Sequence, residues 1–252
     1  MDYREITERF ALSSEGHFIP FAFPGVPQVG CAFTTALAGT MGLMRETEKS
    51  GAVENRKNIL ARLGVSCWAE VKQVHGDAVV RDPEPTAVDF QPEQEADGTC
   101  TREKGLALVV KTADCQPILM ADRRGRAIAA LHSGWRGNAV NFPITGLERF
   151  CEAYDLEPGD ILAVRGPSLG PAAAEFVNFD KEWPPAFAAW FDAERRTMDL
   201  WNLLRHQLMT AGIPPGNIFS LDLCTHSLPQ LFFSHRRGHT GRQASLIWIR
   251  ES

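Results

Sequence analysis

A chain of 252 residues with 44% hydrophobic and 23% charged residues is long enough to bury a sizeable core and too ordinary in composition to be disordered. Its net charge of -5 argues against a general nucleic-acid binder, which carries a basic face or stripe. The opening MDYREITERF is charged and lacks the apolar stretch of a signal peptide, and no run reaches the length of a membrane span, so a cytoplasmic protein is expected. In that compartment the six cysteines are expected to stay mostly reduced, and none forms a C-x-x-C pair.

No repeat or long Pro/Gly/Ser linker divides the chain, which reads as a single domain over residues 1–252. The first predicted element is a helix over Val53 to Leu63, with Gly64 as its C-terminal cap and Asn55 and Arg56 in its first turns. VKQVHGDAVV, from Val71 to Val80, reads as a strand that bends at Gly76, with His75 at the bend. Gly105 to Val110, Ile118 to Met120 and Arg126 to Leu131 are short apolar runs of strand length. Asp122-Arg123-Arg124-Gly125 joins the last two as a tight hairpin. Cys115 and His132 then fall at strand ends on the same rim of the sheet. Val140, Ile144, Leu147, Cys151 and Tyr154 recur at helical spacing, with Pro143 tolerable only near the first turn. A further helix runs from the N-cap Asp199 through Leu208 to Gly212. The chain closes with NIFSLDLCTH, the basic loop SHRRGHTGRQ and an apolar strand ASLIWI. Strands outnumber helices and hairpins accompany crossovers, so an α+β fold with a mixed sheet and outer helices is expected.

His75, Cys115 and His132 each stand at a strand end or bend beside small residues. Two histidines and one cysteine suit a single zinc ion with an open fourth position, the arrangement of catalytic sites. The same residues also suit a buried structural cysteine with a hydrogen-bonded histidine, or a cysteine hydrolase in which Cys115 is the nucleophile, His132 its base and Asp114 the group that orients them. Arg56 suits an anion clamp or an exposed helix arginine. Ser133 and the neighbouring Gly134 and Gly137 offer backbone N–H groups for an oxyanion, and Trp135 offers a stacking face. Gln73 and Arg136 flank the histidines as further substrate contacts. Arg236 and Arg237, in the basic loop with Arg242, suit forked recognition of phosphate or carboxylate.

ENRKNILARLG, VKQVHG, ADG, VVKTADCQPILMAD, AALHSGWRG, RGPSLGP, DLCTH and LFFSHRRGHTGRQASLIWI occur in the order of the YfiH-type family, also called the laccase-domain or multicopper polyphenol oxidase family. The resemblance covers about Cys31 to Ile249. It implies zinc ligands at His75, Cys115 and His132, and helix and sheet layers in the order α/β/β/α, similar to toxin deamidases with a Cys/His pair. It also implies phosphorolysis of adenosine, inosine, guanosine and methylthioadenosine, and deamination of adenosine. The partners are then a nucleoside and phosphate, with no nucleic acid, membrane or protein partner indicated. Removal of serine from a UDP-muramoyl peptidoglycan precursor is an alternative within the same resemblance, and polyphenol oxidation is another. The stretch GPSLGPAAAEFVNFD departs from the family pattern. Copper is not favoured, because a multicopper cluster needs H-x-H pairs and the seven histidines form none.

Overall fold

Alternation along the central strands decides how the layers stack. The protein is described by a computed structural model over residues 16–43 and 49–251, so the charged opening segment lies outside the described residues. The strands are β1 (Phe18–Pro20), β2 (Val29–Thr34), β3 (Cys67–Ala69), β4 (Val79–Arg81), β5 (Gly98–Thr101), β6 (Leu106–Thr112), β7 (Gln116–Asp122), β8 (Ile128–Ser133), β9 (Ile161–Arg165), β10 (Phe191–Asp192), β11 (Thr197–Met198), β12 (Ile218–Ser220) and β13 (Gln243–Ile249). The helices are α1 (Lys49–Leu63), α2 (Trp135–Ala139), α3 (Phe142–Tyr154), α4 (Phe179–Glu182) and α5 (Leu200–Thr210).

Among the described residues two mixed sheets form, a five-stranded one in the order β1-β2-β13-β6-β3 and a six-stranded one in the order β12-β9-β7-β8-β5-β4, beside a small antiparallel pair β10-β11. Leu106, Leu108 and Val110 of β6 face Leu119, Ala121, Ile128 and Ala130 of the other sheet across a shared apolar layer. The intervening Ala107 and Val109 turn outward against Ile59 and Leu60 of α1. Ile118, Met120, Ala129 and Leu131 likewise turn outward, onto Phe142, Leu147 and Phe150 of α3 and Leu204 and Leu208 of α5. Period-two alternation on strands that are apolar on both faces therefore produces the α/β/β/α stack.

The β7–β8 hairpin pairs antiparallel as the sequence predicts, with Gln116 opposite Ser133 and Pro117 opposite His132. Asp122 closes its turn by accepting from the Arg126 and Ala127 amides at 2.5 and 3.2 Å. Helix α5 begins after Asp199, whose side chain accepts from the Asn202 amide, and the chain leaves it through Gly212 at φ +100°. The expected helix from Val140 divides instead. Asn141 adopts a left-handed conformation, φ 59°, so α2 stops before it and α3 starts after it. Pro143 has no N–H to donate and fits the first turn of α3, while Val140 is 59% exposed and leaves the apolar stripe.

Candidate metal centre

The cysteine and two histidines reach one point from three separate segments. Cys115 enters just before β7, His132 sits in β8, and His75 lies in the loop between β3 and β4. One side-chain atom from each of the three lies within 4.8 Å of the others. Cys115 Sγ is 3.7 Å from His75 Nε2, and the two imidazole rings meet edge to face with centroids 4.8 Å apart.

The loop that carries His75 does not form the bent strand expected over Val71–Val80. Its left-handed residue is His75 itself, φ 61°, rather than Gly76. The reason is Asp97, whose carboxylate accepts from the backbone amides of Val74, His75 and Gly76 at 3.2, 3.0 and 2.6 Å and so replaces a strand ladder. The same carboxylate lies 2.7 Å from His132 Nδ1. Asp97 therefore fixes the histidine loop and orients His132 so that Nε2 faces the other two ligands, an arrangement typical of metal-binding histidines. It stands in the ADG motif, yet the sequence alone assigns it no role.

Gly134 is required for clearance. A Cβ there would lie 2.8 Å from the His75 ring and 3.0 Å from Cys115 Sγ. Burial opposes a Cys115 thiolate, but the charge and hydrogen bond of His132, with help from His75, bring the thiol down to about 6. Burial likewise opposes a charged His132, but the thiolate and Asp97 raise it to about 9. Both shifts favour a thiolate beside an imidazolium in the metal-free site. Two nitrogens and a soft sulfur, with Nδ1 of His132 tied to a carboxylate, are a fitting donor set for zinc.

The group borders a cavity of about 300 Å³ whose wall also includes Lys111, His235 and Arg242. Several expected substrate contacts lie elsewhere. Arg56 is fully buried. Its guanidinium donates to the Met41 and Val88 carbonyls and to Glu70, leaving it committed to the interior rather than to an anion. Gln73 does border the cavity, but its amide is clamped to the backbone N–H and C=O of Lys111, each at 2.8 Å. Asp114, at φ 86°, does not orient Cys115 and His132. Its carboxylate accepts from Thr225 Oγ1, Ser234 Oγ and the Arg236 amide, which ties down the basic loop.

Trp135 packs in an apolar cluster against Phe176 and Trp183, and the Arg136 guanidinium lies 4.4 Å over the Trp135 ring. Ser133 is buried, and a Cβ added at Gly137 would meet its hydroxyl at 3.3 Å. Arg236 donates to the Glu175 carbonyl, and Arg237 donates to the carbonyls of Thr225, His226 and Phe232. These arginines hold loops together because a planar fork of donors suits converging carbonyls. All six cysteines are free.

Residues 38–250 match the family described as multi-copper polyphenol oxidoreductase laccase. A purine nucleoside phosphorylase of Xylella fastidiosa is 38% identical over 213 residues, covering 77% of each chain. The purine nucleoside phosphorylase YfiH of Escherichia coli is 35% identical over 209 residues, 78% of this chain and 80% of that one. Among solved structures, YlmD from Geobacillus stearothermophilus superposes with a TM-score of 0.84 at 27% identity, over 93% of this chain and 97% of that one. With a match that spans most of its length and a shared two-sheet architecture, the chain belongs to the YfiH-type, or multi-copper polyphenol oxidoreductase laccase, family.

Proposed function

We propose that this protein is a zinc-dependent purine nucleoside phosphorylase acting on adenosine, inosine, guanosine and methylthioadenosine, with deamination of adenosine as a second reaction of the same site. The observation that carries the reading is the opening of the His75/Cys115/His132 group, backed by Asp97, into a cavity that also presents Lys111 and Arg242. Relatives more than one third identical over most of their length are named purine nucleoside phosphorylases. Zinc is preferred to copper because the chain lacks the H-x-H pairs of a multicopper cluster.

Zinc, when bound at His75, Cys115 and His132, supplies a Lewis acid and a water of lowered pKa. The remaining tasks fall to the chain. In phosphorolysis a phosphate oxygen bonds to C1′ of the ribose, and the C1′–N9 bond breaks with its electron pair leaving on the purine, which takes up a proton. Positive charge on the cavity wall holds the phosphate where positive charge also develops on the ribose. Leu43, Val71 and Pro92 give the cavity apolar wall for the flat base. Asp97 keeps the His132 proton on Nδ1 and so holds the ring in one orientation. In deamination, water adds at C6 of adenosine and ammonia leaves, giving inosine.

The test is chromatography with mass analysis of adenosine incubated with zinc-loaded protein, with and without phosphate. Adenine and ribose 1-phosphate formed only with phosphate establish phosphorolysis, and inosine formed without phosphate establishes deamination. Adenosine surviving both conditions would sink the proposal.

A further inference from the structure

Lys111 is the one partly exposed residue of β6, whose other six residues are buried. Strand parity places it on the face shared by Ala107 and Val109, toward α1, where an ammonium group would meet an apolar layer. Glu70 removes that conflict. Its side chain is fully buried, and its two oxygens take one cation each: Oε1 from Arg56 at 3.1 Å and Oε2 from Lys111 at 2.5 Å. Arg56 donates its other N–H groups to the carbonyls of Met41 and Val88 and lies under the Trp68 ring, so it is sealed from the cavity.

Among the described residues, two cations therefore share the Glu70 carboxylate, and one of the two reaches the cavity. Lys111, with its side chain 16% exposed, borders the cavity, and Arg56 does not. An ammonium carries three donors, of which Glu70 takes one. The backbone of Lys111 is clamped on both its N–H and its C=O by Gln73, two residues before His75, which ties the lysine to the segment that leads into the histidine loop. Arg242 is fixed in the same cavity wall by donating from Nη1 to the Thr240 and Gly241 carbonyls at 3.0 and 2.8 Å. A part-buried surplus cation is costly unless an anion completes it.

Resting on the phosphorylase reading above, we propose that Lys111 is the oxyanion-binding residue of this cavity. Arg242 acts with it, and the ligand is a phosphate dianion, either free phosphate or the phosphoryl group of a nucleoside monophosphate. Lys111 binds it as a compact point charge at a height set by Glu70.

Calorimetric titration of the zinc-loaded full chain with inorganic phosphate, and separately with adenosine 5′-monophosphate, tests this for the wild type, Lys111→Met and Lys111→Arg. Lys111→Met should bind at least one of the two about tenfold more weakly, with its zinc content unchanged, and Lys111→Arg should recover most of the loss. Loss toward inorganic phosphate assigns the site to the free ion, and loss toward the monophosphate alone assigns it to a nucleotide. Wild-type affinities for both ligands in Lys111→Met, or no binding of either by the wild type, overturn the inference. Because no turnover is involved, a failure of phosphorolysis leaves this result standing. Conversely, phosphorolysis with an unchanged phosphate KM in Lys111→Met removes this inference and leaves the phosphorylase reading intact.

Discussion

Asp97 combines two tasks in one carboxylate. It accepts three consecutive backbone amides of the His75 loop and the Nδ1 proton of His132. Asp97→Asn keeps the shape but offers one acceptor oxygen where two served, and it turns an NH2 group toward donors. Zinc affinity should fall by about 10- to 100-fold, as measured by competition with a fluorescent chelator, while the far-UV circular dichroism spectrum stays native. Unchanged affinity would show that Asp97 serves the loop alone. The protonation of the neighbouring pair sets the pH dependence of the same measurement. Between about pH 6 and pH 9 the Cys115–His132 pair carries one proton, on the imidazole, and a metal at both side chains must displace it. Affinity should therefore rise with pH by about tenfold per unit across that window from this pair, and more steeply below about 6, where the thiolate is protonated as well. A flat profile from pH 6 to 8 would contradict the thiolate–imidazolium assignment.

At the scale of elements, the site depends on how a hairpin, a loop and a short helix meet. The hairpin is legible in the sequence because a polar turn with glycine separates two apolar runs, and strand pairing then returns His132 to the level of Pro117, beside Cys115. The three ligands are legible for the same reason, since each marks the end of an apolar run. Asp97 is not legible, being 22 residues from His75 and 35 from His132, separations that carry no periodic signal. Arg56 misleads because helix position alone does not distinguish a buried guanidinium from an exposed one. Its burial follows from Glu70, a residue that only the fold brings near. Gly134 reads as a turn residue in the sequence, whereas its φ of -76° suits any residue and the constraint is steric. Gly134→Ala should therefore leave the thermal midpoint of the metal-free protein close to wild type and still abolish stoichiometric zinc retention, because the new methyl group occupies the space between the His75 ring and Cys115 Sγ. Full zinc retention in this variant would mean that the loop yields easily.

Across the whole molecule, the ligands sit in segments that only the folded α/β/β/α stack holds together, His75 before β4, Cys115 before β7 and His132 in β8. Metal binding is then coupled to global stability, since an unfolded chain offers no such cluster. A ligand present at about a thousand times its Kd and binding only the native state stabilises it by about 4 kcal/mol. Leu108 supplies the opposing perturbation. It is fully buried in the layer between the sheets, away from the ligands, and Leu108→Ala should cost about 2–5 kcal/mol through lost contacts and a residual cavity. Urea unfolding of Leu108→Ala should consequently show a lowered midpoint without metal and recovery of most of the loss in excess zinc. The double variant Leu108→Ala/Cys115→Ala should show no comparable recovery. Equal recovery in both would mean that zinc stabilises through some other site. Recovery in Leu108→Ala alone would locate the stabilisation at the three-residue cluster and show that the two sheets, by holding distant segments in register, do the work of assembling it.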